Sequence, residues 1–355
     1  MERKLASIQI IKDLQVIEGA DKIVKATILG WEVVVLKDDF NIGDLCVYCE
    51  IDSILPDKPE FAFLKERKFR IRTIKLKGQV SQGICFPVSI LPKGKYKEGD
   101  NVTEILNIKK YDPQSEAEQK EIDRLNAIHK NRIRKYFMRF SWIRRLIFRP
   151  ARLPRPSFIR KTDEDRIQLF PDICKEQKGT EFYATEKLDG TSASYFLIKK
   201  GFRYKYGICS RNYQILKRDN LYWSISDKLN IKDILINLVR YHKAELVYIQ
   251  GEIIGPKVQE NKYHFSGLEL YVFNLKIDHK WYFYSPDIAS ELSSRLKIVP
   301  TLKIDYVLPD TISQAVEAAK GKSLFADIPR EGIVLRNNRL SFKIINPDFL
   351  LKYEE

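Results

Sequence analysis

The chain has 355 residues, of which 44% are hydrophobic and 31% are charged, and its formal net charge is +15. This length predicts two domains. No apolar run is long enough to span a membrane and the N-terminus lacks an apolar signal-peptide region, so we expect a soluble, intracellular, cytoplasmic protein with no membrane partner. The positive charge favours a polyanionic partner, most often nucleic acid.

Residues 1–106 alternate short Val, Ile and Tyr runs with Gly and Asp turns. Five or so short strands in about a hundred residues predict a small β-barrel of the OB type. This region holds Cys46 and Cys49, a C-x-x-C with no second pair and no nearby histidine to complete a zinc site. The chain's five cysteines are odd in number and scattered, which argues against a disulfide framework. We therefore read Cys46 and Cys49 as strand residues.

Residues 107–160 predict a basic helical insertion or linker between two domains. From Arg124 to Lys161 there are thirteen Lys and Arg residues and no Asp or Glu, and the prolines of "RPARLPRPSF" end the helical pattern. Three interpretations stay open. The helix packs its apolar stripe on a neighbouring domain, it contacts nucleic acid, which is compatible with the first, or it lies on a membrane surface.

Residues 161–355 predict a mixed α/β domain, which makes the whole chain α+β. The expected helices are 225–240, 286–296 and 311–320. The expected strands surround "EKLDG", "LVYIQGEIIG", "LELYVFNLK", "WYFYS", "EGIVLRN" and "LSFKIIN".

Charged residues next to glycines or polar turns recur at the ends of these strands. A lysine alone is most often a solvated strand residue, and a glutamate at a strand end is most often a solvated edge. The order of these residues is more specific than any one of them. The series is Lys187, Asp189 and Gly190 in "EKLDG", Arg211 in "CSRN", Glu252 in "GEIIG", Phe273 in "LYVFNLK", Glu331 in "REGIV" and Lys343 in "LSFKIIN".

This series resembles the motifs of the covalent nucleotidyltransferases, which include polynucleotide ligases and RNA capping enzymes. Upstream, "RKLASIQIIKDLQVIEGADKI", "GWEVVV", "VYCEIDSILP" and "KTDEDRIQ" are similar to the RNA ligase 5 family. The resemblance covers nearly the whole chain except about 107–160. It implies an N-terminal OB-type barrel followed by a ligase-type nucleotidyltransferase domain of antiparallel sheets with flanking helices, at residues 161–355.

The resemblance implies an ATP-dependent RNA ligase that uses Mg²⁺ or Mn²⁺. Lys187 would attack the α-phosphorus of ATP and form lysyl-AMP, and AMP would then pass to an RNA 5′-phosphate. A 3′-OH end would attack and release AMP, with nicks in duplexes as the expected substrate and no protein partner. Because only a neutral amine is a nucleophile, Lys187 needs a lowered pKa or a metal that expels its proton.

The resemblance also implies roles for the other residues of the series. Asp189, Glu252 and Glu331 would orient the metal, largely through water, and one of the three would contact the ribose. Lys343 would grip the α-phosphate, and Arg211 would contact the sugar or phosphate. Phe273 would stack on adenine, although plain strand core explains it nearly as well. Glu186 is a candidate for the adenine amino group, and Gly190 allows close backbone approach.

Two departures from the family pattern leave questions open. Many relatives end the series with K-x-K, whereas here Lys343 is followed next by Lys352. No OB domain is expected after Lys343, so Arg70, Arg72 or Lys75 are hypothesised to assist with the triphosphate or RNA, although solvated strand charges explain them equally well. The alternatives are a DNA ligase, a guanylyltransferase, or a catalytically silent RNA-binding protein on the same scaffold.

Overall fold

The computed structural model describes residues 4–111, 152–217, 219–292, 295–337 and 339–353. These residues form two compact units, and each is described by itself. The first comprises 4–111, 168–171 and 350–353, and the second comprises the described residues of 152–167 and 172–349. Most of the basic segment 107–160 lies outside the described residues, so the division into 1–106, 107–160 and 161–355 stays a proposal.

The N-terminal unit is built from short strands because its apolar residues alternate with polar ones. In its third and fourth strands nearly every second side chain is buried. The strands are β1 (Ala6–Ile10), β2 (Asp13–Val16), β3 (Ile23–Ile28), β4 (Trp31–Leu36), β5 (Leu45–Cys49), β6 (Ser53–Ile54), β7 (Thr73–Leu76), β8 (Gln79–Gln82), β9 (Ile84–Pro87) and β10 (Lys109–Lys110).

The strands of this unit form three-stranded sheets in the orders β1-β5-β9 and β2-β3-β4, together with the pairs β7-β8 and β10-β6. The prediction of five or so strands is too low, because strands of two to four residues carry too little alternation to be recognised in a sequence. A 3₁₀ helix also covers Pro59–Arg67. Cys46 and Cys49 lie buried in β5, as strand residues.

The second unit contains two larger sheets. Its strands are β11 (Arg152–Pro154), β12 (Asp165–Arg166), β13 (Glu181–Lys187), β14 (Thr191–Lys200), β15 (Arg203–Cys209), β16 (Tyr213–Ile215), β17 (Leu246–Ile254), β18 (Glu269–Ile277), β19 (Lys280–Tyr282), β20 (Lys297–Ile298), β21 (Thr301–Val307), β22 (Gly332–Arg336) and β23 (Ser341–Ile345). Among the described residues, one sheet has the order β11-β16-β15-β14-β17-β18-β19, with β20 paired to β18. The other has the order β12-β23-β22-β13-β21. Most pairs are antiparallel, as predicted.

The α-helices of the described residues only partly match their predicted bounds. They are α1 (Ile173–Glu176), α2 (Leu221–Lys228), α3 (Ile231–His242), α4 (Ser285–Glu291), α5 (Ile312–Ala319) and α6 (Pro347–Tyr353). The predicted helix 225–240 is two helices, because Asn230 adopts a left-handed conformation between them. The predicted helix 286–296 ends at Glu291, whereas 311–320 agrees with α5. No helix in the described ranges is long and apolar enough to cross a membrane.

Each large sheet buries one face in a hydrophobic core, and the opposite face carries polar side chains, joined in the larger sheet by the buried Phe196 and Tyr248. The five-stranded sheet packs Phe182, Ala184, Ile333, Leu335, Phe342 and Ile344 into a core with α5. The larger sheet packs Ala193, Tyr195, Leu197, Val247 and Ile249 against α2 and α3. Because strand side chains alternate, Lys187 and Lys343 lie on the opposite face of the first sheet, and Ser192 and Glu252 on the opposite face of the second.

Candidate active site

Lys187 is the last residue of β13, where it pairs with Gly332 at the start of β22. Its Nζ lies 2.6 Å from Oε1 of Glu331, and its side chain is 24% exposed. Burial alone lowers the pKa of Lys187, but the carboxylates of Glu331, Glu252 and Asp189 outweigh burial and raise it above the ordinary value. The amine is therefore held as ammonium by its carboxylate neighbours when no other cation is present.

Glu331 directly precedes β22, and its side chain reaches Lys187 from there. Only one of its carboxylate oxygens is used by Lys187, because Oε2 is buried and has no hydrogen-bond partner among the described residues. Burial raises the pKa of Glu331, with Lys187 opposing the shift. A buried carboxylate oxygen without a donor is an energetic cost that a bound cation would relieve.

Glu252 lies in β17 opposite Ser192 of β14, whose Oγ donates to its Oε2 at 3.2 Å. Burial raises the pKa of Glu252 to about 8, with Lys187 opposing and Glu331 adding to the shift. Gly190 packs directly against this strand. A Cβ on Gly190 would lie 2.8 Å from Cγ of Glu252 and would also clash with the Ile253 carbonyl oxygen. The close approach predicted at Gly190 is therefore an approach to β17.

Asp189 is fixed by two residues that the sequence analysis missed. Nζ of Lys262 lies 2.5 Å from Oδ2 of Asp189. The backbone amide of Asp189 donates to the Tyr263 hydroxyl at 2.8 Å. Lys262 and its partner carboxylate are only 11% and 16% exposed. Both residues follow the irregular turn Gln259–Asn261, where no strand or helix period marks them. A Lys-Tyr pair in such a loop carries no motif that could have revealed it.

Lys343 shares the sheet face of Lys187 because it pairs with Val334, two residues from Gly332. Burial lowers the pKa of Lys343 to about 7, and the positive charges of Lys187 and Arg166 add to that shift. Within the described ranges no carboxylate lies within ion-pair distance of its ammonium. A partly neutral lysine beside a second lysine favours an anionic ligand, such as the α-phosphate that the sequence predicts.

Phe273 is the extra residue of a β-bulge in β18, since Gln250 pairs with Asn274 and Gly251 with Val272. Its side chain is partly exposed, which argues against plain strand core. The Arg336 guanidinium lies 5.5 Å from the ring centroid and pairs with Glu164 at 3.1 Å. Bulges often re-aim a side chain next to an active site, which supports the predicted stacking role of Phe273.

The structure does not bring Glu186 and Arg211 into contact with Lys187. Glu186 precedes Lys187 in β13 and lies on the opposite face, where its Oε2 accepts from the Leu324 amide at 2.9 Å. Its Oε1 is buried without a partner in the described part of the chain, and burial raises the pKa of this carboxyl. Arg211 donates to Asp163 Oδ2 at 2.6 Å. The Asp163 carboxylate also raises the pKa of Lys343, against the larger lowering by burial. Their predicted nucleotide contacts stay predictions.

The three basic residues proposed in the N-terminal unit differ in their surroundings. Arg70 is 9% exposed, pairs with Asp52 at 3.0 Å and stacks over Tyr111. This arrangement explains Arg70 as a structural residue. Arg72 is half-buried and Lys75 is exposed, so the hypothesis of a phosphate or RNA role is better carried by these two.

The carboxylates around Lys187 fit a divalent metal ion that keeps part of its water shell. No group of three His, Cys, Asp or Glu side chains in the described ranges is arranged to ligate one ion directly. Mg²⁺ commonly binds one or two carboxylates together with water and phosphate oxygens. The partnerless Oε2 of Glu331 and the raised pKa of Glu252 both indicate carboxylates that lack sufficient positive charge.

Comparison with known proteins gives a consistent result along the chain. A family model described as an OB-fold domain matches residues 5–88, and one described as RNA ligase matches residues 180–353. A comparison with curated proteins gave no match. Among solved structures, three forms of the Naegleria gruberi RNA ligase are similar at 28% identity. The form with pyrophosphate has a TM-score of 0.79 and covers 99% of each chain. A mutant with AMP and Mn has a TM-score of 0.78, and the match covers 99% of each chain. A mutant with ATP and Mn has a TM-score of 0.80, and the match covers 99% of this chain and 100% of the other.

These matches confirm the predicted fold class, an α+β protein with an N-terminal OB fold and a ligase-type nucleotidyltransferase domain. The match over residues 180–353 identifies an RNA ligase domain, and with the structural similarity over the whole chain it identifies an ATP-dependent RNA ligase. The domain match and the structural similarity favour an enzyme over a catalytically silent binding protein.

Proposed function

We propose that this RNA ligase seals RNA 3′-OH and 5′-phosphate ends through a lysyl-AMP intermediate on Lys187. It uses ATP and a divalent metal ion, in agreement with the complexes of its structural relatives with ATP or AMP and Mn. The observation that carries the proposal is the position of the Lys187 amine. It lies 2.6 Å from Glu331, with Glu252 and Asp189 close enough to raise its pKa and with Lys343 on the same sheet face.

In the first step Lys187 Nζ forms a bond to the α-phosphorus, and the bond from that phosphorus to the pyrophosphate oxygen breaks. The amine must lose a proton before it attacks, because an ammonium has no lone pair. Lys343 holds the α-phosphate from β23, which lies two strands from β13 in the same sheet, and so places the phosphorus next to the amine. Burial lowers the pKa of Lys343, and a bound phosphate favours its ammonium form, so Lys343 takes up positive charge when the anion binds.

In the second step the P–N bond breaks and an RNA 5′-phosphate oxygen bonds to the adenylyl phosphorus, which regenerates Lys187. In the third step a 3′-OH oxygen attacks the activated 5′-phosphorus, and AMP leaves with the bridging oxygen. A phosphoramidate suits this sequence because it is reactive enough to pass AMP onward. The chain therefore needs to hold two RNA ends near one lysine.

A divalent ion bound by Asp189, Glu252 and Glu331, in part through water, would supply charge that disfavours the ammonium form and stabilises charge on the phosphate. The raised pKa of Lys187 makes this route to a neutral amine more suitable than burial alone. Two carboxylates are open to such an ion. Oε2 of Glu331 is buried without a hydrogen-bond partner in the described residues, and burial raises the pKa of Glu252. Lys262 limits how much of Asp189 is available, because it already binds Oδ2.

The test is sealing of labelled strands by the wild type and by Lys187→Ala. Substrates are a nicked RNA duplex, the same strands without a template, the matching DNA duplex, and RNA with a 3′-phosphate and a 5′-OH. The proposal expects sealing of the 3′-OH/5′-phosphate RNA, faster at the nick, and none by the variant. Preferred sealing of the DNA nick would instead favour a DNA ligase, and sealing by Lys187→Ala would overturn the assignment of the nucleophile.

A further inference from the structure

The hairpin between β14 and β15 carries a fully exposed aromatic ring in a cluster of positive charge. Lys200 pairs with Arg203, so the loop consists of Gly201 and Phe202 alone. Gly201 has a φ of +56°, as two-residue hairpin turns require at their first position. Phe202 is 106% exposed, so its ring contacts no core and contributes no packing to the fold.

The charge around this ring is of one sign. Lys199, Lys200, Arg203 and Lys205 are all exposed, and none of them forms an ion pair within the described residues. From residue 190 to residue 218 the sequence has seven Lys and Arg residues and no Asp or Glu. Ordinary solvated surfaces mix the two signs, so this hairpin is complementary to a polyanion.

An exposed aromatic ring flanked by cations has the chemistry of a single-stranded nucleic-acid site. Bases stack on the ring without regard to sequence, and the cations contact the phosphates on either side. We propose that the Lys199–Lys205 hairpin binds an unpaired stretch of the substrate RNA, with one base stacked on Phe202. The inference rests on the proposed function, because it takes the RNA of the sealing reaction as the ligand.

The hairpin lies far from the reacting ends. β14 begins at Thr191, next to Ser192 and its partner Glu252, and ends at Lys200. Nine steps along a strand span about 30 Å. At about 3.4 Å per nucleotide along one strand, RNA must extend roughly nine nucleotides from the break before it reaches Phe202. The hairpin would therefore distinguish long RNA from short RNA without touching the chemistry.

The experiment compares Phe202→Ala with wild type on RNA whose single-stranded flank beyond the break is 4 or 16 nucleotides. Binding is measured by fluorescence anisotropy, and self-labelling with ATP in the absence of RNA reports the intact adenylylation site. We expect the variant to bind the long-flank RNA about 10-fold more weakly, to bind the short-flank RNA as wild type does, and to self-label at the wild-type rate. Phe202→Trp should retain binding, whereas Phe202→Leu should not.

The matched control is Phe63→Ala, since Phe63 is also exposed, at 62%, but lies between Glu60 and Glu66 in a segment of mixed charge. A second variant, Lys200→Gln/Arg203→Gln/Lys205→Gln, should reduce the slope of log affinity against log salt by about 2.

Equal binding of long RNA by Phe202→Ala and wild type would overturn the hairpin site while leaving the ligase assignment intact. If Phe202→Ala lost binding to phosphatidylserine vesicles but kept binding to RNA, that result would also overturn the RNA site and would favour a membrane surface as the ligand of the hairpin. Absence of self-labelling in wild type would contradict the proposed function itself.

Discussion

Lys187 Nζ and Glu331 Oε1 lie 2.6 Å apart, and the second oxygen of Glu331 is buried with no partner among the described residues. Glu331 raises the pKa of Lys187, so as a simple charge neighbour it opposes nucleophilic attack. If Glu331 mattered only through this effect, Glu331→Gln would make adenylylation faster. If it holds a cation that promotes attack, the same change slows the reaction.

We expect Glu331→Gln to slow self-adenylylation by about 100-fold or more, because removing one preorganised charge at a phosphoryl centre has effects of this size. The rate of label transfer from α-labelled ATP at saturating metal measures it. Glu181→Gln is the control, because Glu181 is an exposed carboxylate at the other end of β13. A faster Glu331→Gln enzyme would contradict a metal-holding role.

Lys343→Met should stabilise the protein and inactivate it. Burial, Lys187 and Arg166 lower the pKa of Lys343 to about 7 from 10.5, while Asp163 and Glu331 oppose the shift. Between those pH values the unfolded chain holds a proton that the folded chain lacks, so the free energy of unfolding rises with pH. The gain from Lys343→Met should be about 2–4 kcal/mol at pH 6.5 and should shrink towards pH 10.

Urea unfolding at pH 6.5 and pH 9 measures this stability difference, and label transfer measures the expected loss of adenylylation. Lys343→Arg is the second variant, because it keeps a permanent charge but cannot become neutral. A stability gain that is independent of pH would show that Lys343 is not the titrating group.

Gly190→Ala should lower both stability and activity, because its Cβ would lie 2.8 Å from Cγ of Glu252 and would clash with β17. Overpacking of this kind costs about 1–3 kcal/mol. Gly267→Ala is the matched control, since its nearest neighbour, Nζ of Lys228, lies 3.8 Å away at the tip of a flexible side chain. Thermal unfolding and label transfer are measured for both. Equal behaviour of the two variants would contradict the close packing of Gly190 on Glu252.

Lys262→Met should destabilise the protein by about 3 kcal/mol, because it leaves the nearly buried carboxylate of Asp189 without its cation. Lys262→Met/Asp189→Asn should recover most of the stability but not the activity, since Asp189 is assigned to metal orientation. Lys228→Met provides the comparison, because that lysine is 52% exposed and its pair with Glu269 is long, at 3.8 Å. A double variant as unstable as Lys262→Met would show that the two side chains are not coupled.

The motifs of the sequence selected residues that the structure places close together, because each lies in or next to a recognisable apolar strand. Lys187, Glu252 and Lys343 come from β13, β17 and β23, and Gly190 and Glu331 directly precede β14 and β22. Strand pairing could not be deduced from one sequence. The pairing of β13 with β22 brings together the side chains of Lys187 and Glu331, which are 144 positions apart.

The features that sequence reasoning missed lie in irregular backbone or depend on register. Lys262 and Tyr263 follow a turn without periodicity, and the Phe273 bulge arises only from how β17 and β18 align. The helix break at Asn230 was missed because the apolar spacing continues across it, from α2 into α3. Glu186 shows the reverse case, where strand alternation turns a motif neighbour to the other face.

The most direct test of the central claim is to locate the adenylyl group on the protein. Wild type is incubated with α-labelled ATP and Mg²⁺ or Mn²⁺, digested, and the labelled peptide is sequenced, with GTP and NAD⁺ as comparison donors. The account predicts label from ATP alone, on the peptide that contains Lys187, acid-labile as a phosphoramidate is, and absent in Lys187→Ala. Label on another lysine, or label that persists in Lys187→Ala, would contradict it.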